Sequence, residues 1–98
     1  MTTNIRFEWD LRKAETNRRK HGIDFDSAAR VFFDPLRKTV IEGDEHGETR
    51  WRTIGEIGGI FIALVSHTSH EEGEIEVIRI ISARKATRRE RRAYEEAS

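Results

Sequence analysis

Gly58 and Gly59 stand between two runs rich in β-branched and apolar residues, Thr49–Ile57 and Ile60–Ser66. A Gly-Gly pair takes up the positive φ angles of the tight turns that join antiparallel strands, so the segment reads as a β-hairpin. That one feature commits the middle of a 98-residue chain to a sheet. Lys38–Glu42 and Glu74–Ser82 read as flanking strands, with Ile75 and Val77 alternating with Glu74 and Glu76 as on a half-buried strand. From Val77 to Ile81 only Arg79 is polar, so there the strand is covered on both faces or bulged.

Helical signals lie on either side. Asp10 is placed as an N-cap, with Trp9 and Ala14 as a hydrophobic staple. Leu11 to His21 follows, with Arg18, Arg19 and Lys20 in the last turn and Gly22 at C′. Asp24 caps a second helix in which Phe25, Ala28, Ala29 and Phe32 form one apolar face, and Asp34-Pro35 ends it. Ile5 to Phe7 is either a short strand or an extended lead-in. Thr87-Arg88-Arg89-Glu90 is a capping box that opens a last helix, with Ala86, Glu90, Ala93, Tyr94 and Ala97 on one side and arginines on the other. The expectation is one α+β domain over residues 1–98: two N-terminal helices, a four-stranded antiparallel sheet and a C-terminal helix.

Composition narrows the class. Hydrophobic residues are 36% and charged residues 37%, yet the apolar residues cluster in periodic runs, which argues against disorder. There is no cysteine, so no disulfide and no thiolate chemistry. The longest apolar stretch, Gly58 to Val65, is too short to cross a membrane, and no signal-peptide core opens the chain. A cytoplasmic protein is expected. The zero net charge hides a segregation. Residues 1–40 hold nine Lys/Arg and six Asp/Glu, residues 41–78 two and nine, and residues 79–98 seven and three. A basic tail on a neutral chain suits RNA or an acidic protein face, or is simply a solvated helix.

A set of ordered landmarks then spans nearly the whole chain. It comprises Phe7-Glu8-Trp9-Asp10, Asn17, Lys20-His21-Gly22, Phe25, Phe32-x-Asp34-Pro35, Arg50 and Gly55, then Ile78 to Thr87, Glu90 and Tyr94. Together they resemble the BrnT family of type II ribonuclease toxins. The resemblance implies a RelE-like fold and metal-independent RNA cleavage that inhibits translation. It also implies neutralisation by a BrnA-type antitoxin whose ribbon-helix-helix-like dimer binds DNA, so that DNA is met only through that partner. Two departures are visible: Leu11 stands where the family often has proline, and His67 to Gly73 is a longer, more acidic loop than expected.

Metal-free RNA cleavage lets a 2′-hydroxyl attack the neighbouring phosphate, and it needs a base, an acid and cations around the phosphorane. Among the histidines His21, at a helix end beside Lys20, is the best placed to move protons, or it only complements the helix dipole. Arg79 interrupts an apolar strand, so it either faces a cleft or pairs with Glu42, Glu48 or Glu56. Arg84 follows on the same strand. Arg50 and Arg52 alternate around Trp51 and share a face, which is an RNA platform or a solvated edge strand. Tyr94 is an acid, a stacking surface or core. The catalytic candidates are therefore His21, Arg50, Arg79, Arg84 and Tyr94, with Lys20, Arg52, Lys85 and Arg88 as RNA contacts. His67-x-x-His70-Glu71 is a weak metal signal without a third ligand cluster, so neither metal nor cofactor is expected. The alternative to an endoribonuclease is a catalytically inert module that assembles with a DNA-binding partner for transcriptional autoregulation.

Overall fold

In the computed structural model residues 4–96 are described. Ala97, assigned by its spacing to the apolar side of the last helix, lies outside them. The order is β1 (Asn4–Glu8), α1 (Leu11–His21), α2 (Phe25–Ala28) running into a 3-10 segment (Ala29–Phe33), β2 (Lys38–Glu45), β3 (Glu48–Ile57), β4 (Phe61–Glu72), β5 (Ile75–Lys85) and α3 (Arg88–Glu96). No helix of the described residues is long and apolar enough to cross a membrane.

Two expectations are corrected here. The sheet has five strands in the order β1-β5-β4-β3-β2 and is mixed, because β1 pairs with β5 in parallel while the other pairs are antiparallel. A strand therefore precedes the helices. It forms because Ile5 and Phe7 alternate onto the core side, where the Phe7 ring meets those of Phe32 and Phe33. The second helix is one α turn that tightens into 3-10 geometry before the Asp34-Pro35 stop. Its apolar residues still face inward, with Phe25, Ala28, Ala29 and Phe32 at 1%, 0%, 9% and 6% exposure.

The helix ends form as their chemistry dictates. Asp10 accepts from the Arg12 and Lys13 amides at 2.8 and 3.1 Å, and Asp24 from the Ser27 amide at 2.7 Å. Gly22, at φ 72°, closes α1 by donating to the Arg18 carbonyl. Gly58 and Gly59 sit at φ 56° and 73°, as the tight hairpin requires, and the Ile60 amide closes the turn on the Ile57 carbonyl at 2.9 Å. The stretch His67 to Glu72, expected as loop, continues β4 instead. Gly73, at φ 63°, lies in the turn that follows.

Paired residues point to the same side of an antiparallel sheet, so the registers define two faces. The first carries the main core: α1, α2 and the 3-10 segment lie on Ala63, Val65, Ile78, Ile80 and Ala83. Asn17 ties α1 to it, since its side chain accepts from the Ala83 amide at 3.1 Å and donates to the Ala83 and Ile23 carbonyls. The second face holds Ile54, Ile62 and Leu64 and is partly covered by Ala86, just after β5, and by Tyr94 of α3. The suspected irregularity near Val77–Ile81 is a bulge. Ser66 pairs with Ser82 and His67 with Ile80, leaving Ile81 without an opposite residue.

Candidate nucleic-acid interface

Arg50 and Arg52 on β3 and Arg79 and Arg84 on β5 all project from the second sheet face. This follows from their pairing: Arg52 lies opposite Val40 and Ser66, Arg84 opposite Leu64, and Arg79 opposite Thr68. The strand alternation that set Arg50 and Arg52 together holds, but β3 is interior to the sheet, with β2 at the edge. Their immediate partners differ. Arg84 makes a bidentate contact with Glu90 at 2.8 and 3.0 Å. Arg50 lies 3.7 Å from the Glu42 carboxylate, which also accepts from the Ser66 hydroxyl at 3.3 Å. Among the described residues no carboxylate lies within ion-pair distance of Arg52.

Arg79 departs from expectation. It is not a buried ion pair with Glu42, Glu48 or Glu56; its side chain is 45% exposed, and its partner is Glu8 of β1, 3.6 Å away. The bulge at Ile81 and the parallel strand β1 together leave this cation on the surface. β1 was not firmly legible in the sequence, so neither was that partner.

The last helix frames the same face. Glu90 closes the capping box reciprocally: the Thr87 amide donates to its carboxylate at 2.8 Å, and its own amide donates to the Thr87 hydroxyl at 3.2 Å. The Arg84 guanidinium, working against partial burial, holds the Glu90 carboxyl down to about 2. A hollow of about 230 Å³ lies between α3 and β2–β4, with Arg52, Lys38, Glu90 and Tyr94 on its walls. Tyr94 is 6% exposed, and its hydroxyl donates to the Asp34 carboxylate. Burial and that carboxylate push the phenol well above its ordinary value, so it keeps its proton at neutral pH. The Lys38 ammonium donates to the Tyr94 carbonyl at 3.1 Å.

The remaining candidates are placed elsewhere. Lys20 and His21 end α1, which packs on the first face, and both are exposed. Lys85 projects from the first face over the Phe61 ring, 5.3 Å from its centre. Arg88 opens α3 and is exposed. The His67-x-x-His70 spacing, read as loop, lies on a strand that turns the two rings to opposite faces. His70 is exposed and pairs with Glu72 at 2.9 Å, whereas His67 is 3% exposed.

Sequence reasoning missed two groups. Asp34 appeared as a helix stop and a family landmark with no chemical role, but it receives the Tyr94 hydroxyl together with the Glu56 and Leu36 amides. His67 belongs to a buried polar chain: its Nε2 is 2.7 Å from the Thr53 hydroxyl, which is 2.7 Å from that of Thr39. The alternation through Val65 could have placed His67 inward had the strand been extended beyond Ser66.

The comparisons with known proteins agree with this architecture. The family described as "Ribonuclease toxin, BrnT, of type II toxin-antitoxin system" matches over residues 9–90. The crystal structure of the Brucella abortus ribonuclease toxin, BrnT, superposes with a TM-score of 0.59 at 26% identity, covering 88% of this chain and 100% of that one. No curated protein sequence matches the chain.

Proposed function

The chain belongs to the BrnT family of ribonuclease toxins of type II toxin-antitoxin systems, and on that premise we propose that it is a metal-independent endoribonuclease that binds RNA across its arginine-bearing face. Cleavage of RNA then inhibits translation. A BrnA-type antitoxin that binds DNA neutralises the toxin, and DNA is reached only through it. The observation that carries this reading is the convergence of Arg50, Arg52, Arg79 and Arg84 from two strands onto one sheet face beside a basic helix.

Four guanidinium groups on one surface suit a phosphodiester, because each offers paired N–H donors in the geometry of phosphate oxygens. As a 2′-hydroxyl attacks, charge accumulates on the equatorial oxygens of the phosphorane, and fixed cations stabilise it more than the ground state. Arg79 and Arg52 fit this role best, since one is exposed and the other has no carboxylate at ion-pair distance among the described residues. Arg50 and Arg84 are held by Glu42 and Glu90, so phosphate has to compete with those carboxylates. Arg88 extends the cationic surface along α3, while Lys20, His21 and Lys85 lie off this face. Tyr94 supports the wall of the site and is too weak an acid at neutral pH to protonate a leaving group readily.

A second reading, the catalytically inert module that assembles with a DNA-binding partner, is favoured by the same pairings, because arginines already satisfied by carboxylates need no substrate. Induction of the chain alone in a bacterial host, with mapping of RNA ends, separates the two. The endoribonuclease produces new 5′ ends and arrests translation, and the purified protein cleaves equally well in excess chelator. Absence of new ends supports the module, and loss of cleavage on chelation removes metal independence.

A further inference from the structure

On the first face the helices do not reach the end of the sheet near the β4–β5 turn. Beyond Phe32 they leave a hollow of about 310 Å³ on the opposite side from the arginines. Its walls are apolar in the middle and charged at two ends. Trp51 and Ile78 line the middle, with Phe32 at the covered rim. Glu76 lies at the β5 end, where one carboxylate oxygen accepts from the Ser69 hydroxyl at 2.7 Å. Arg37 lies at the β2 end, and its guanidinium donates to the Asp34 carbonyl at 3.2 Å. Among the described residues neither charge has an opposite charge within ion-pair distance.

The floor is the His67 ring, packed edge-on to Phe32 at 4.8 Å and bonded through Nε2 to Thr53. Burial pushes its pKa below the ordinary value, so the floor is neutral at physiological pH and does not compete with Arg37 for an anion. Glu76 on β5 and Arg37, which immediately precedes β2, line the same hollow from opposite ends, three strands apart. A ligand that satisfies both therefore carries N–H donors at one end, an anion at the other and a flat ring between them.

We propose that this hollow binds the guanine base of a nucleotide. The N1–H and 2-amino groups of guanine form a paired donor edge that a carboxylate accepts, whereas adenine offers one donor beside an acceptor. Ser69 occupies only one lone pair of Glu76, so both carboxylate oxygens keep capacity for the base. The indole of Trp51 supplies the stacking surface, and Arg37 contacts the phosphate. The site is independent of the arginine face and stands whether or not that face cleaves RNA. Its guanine comes either from a free nucleotide or from an RNA strand.

The test is calorimetric titration of the full chain with GMP, with AMP, and with two short oligoribonucleotides that differ only by guanosine or adenosine at one position. The guanine site binds GMP roughly tenfold or more tightly than AMP, and Glu76→Gln abolishes that preference because the amide presents a donor where guanine needs an acceptor. Arg37→Gln weakens GMP and leaves guanosine, titrated alongside, unchanged. Glu76-dependent preference for the guanosine oligomer without GMP binding assigns the site to RNA. Equal affinity for GMP and AMP together with equal affinity for the two oligomers overturns the proposal in the parent protein itself. A GMP preference that survives in folded Glu76→Gln overturns it as well.

Discussion

Asp34 accepts hydrogen bonds from three separate segments: the Leu36 amide at 2.9 Å, the Glu56 amide at 2.8 Å and the Tyr94 hydroxyl. Burial raises its pKa, but those donors outweigh burial and hold the carboxyl below its usual range. One side chain thus ties the end of the 3-10 segment to β3 and to α3. Asp34→Ala leaves all three donors without this acceptor and is expected to cost about 1.5–3 kcal/mol, whereas Tyr94→Phe removes one bond and costs about 1 kcal/mol. Urea denaturation of the two variants checks this; equal midpoints would show that the backbone contacts of Asp34 contribute nothing. The capping roles of Asp10, Asp24 and Thr87 were legible because they depend on residues two or three positions away. The tie from Asp34 to Tyr94 spans 60 positions, and no local pattern carries it. For His67 the obstacle was the acidic run His70-Glu71-Glu72, which reads as loop although it extends a strand.

Gly55 shows how tightly an element can be seated. A Cβ there would lie 3.0 Å from the Val31 carbonyl oxygen and 3.1 Å from the Val31 Cβ, so the 3-10 segment rests directly on β3. Gly55→Ala has to push that segment outward and is expected to destabilise by about 1–3 kcal/mol, read from the shift in denaturation midpoint. An unchanged midpoint would mean the segment moves freely on the sheet. The α3 cap makes a pH prediction. Glu90 titrates at about 2 in the folded chain against an ordinary 4.5, chiefly because Arg84 bonds its charged form. A lowered carboxylate contributes stability that is complete above its unfolded value and is lost as pH falls from there towards the folded value. The parent should therefore lose more stability than Glu90→Gln between about pH 5 and pH 2. Parallel stability curves for the two would show that the Arg84–Glu90 contact is not maintained in solution. At this scale the sequence revealed both hairpin glycines, α1 and α3. It gave only a weak sign of β1, because five residues with two inward side chains look the same in a strand and in an extended leader.

The whole molecule divides its chemistry between the faces of one sheet. The first is sealed by α1, α2 and the 3-10 segment except at the guanine hollow, and the second presents the arginines beside α3. The charge segregation seen in the sequence maps onto this only in part. The basic tail does form α3 and the end of β5, but acidic side chains from the middle of the chain reach the same face, as Glu42 does beside Arg50. That is why Arg50 was legible as a candidate and its carboxylate partner was not. His21 was chosen by its place at a helix end, and α1 carries it to the other side of the sheet. The central claim is that the second face stabilises the charge of a cleaving phosphodiester, and Arg79 tests it most directly. Its contact with Glu8 is loose and exposed, so Arg79→Gln should shift stability by no more than about 1 kcal/mol. The decisive measurement is the single-turnover rate of RNA cleavage by Arg79→Gln against the parent, with thermal melts on the same samples. The rate should fall by about 10² or more while the melt stays near the parent's; a variant that melts normally and cleaves at the parent rate would contradict the assignment of this face.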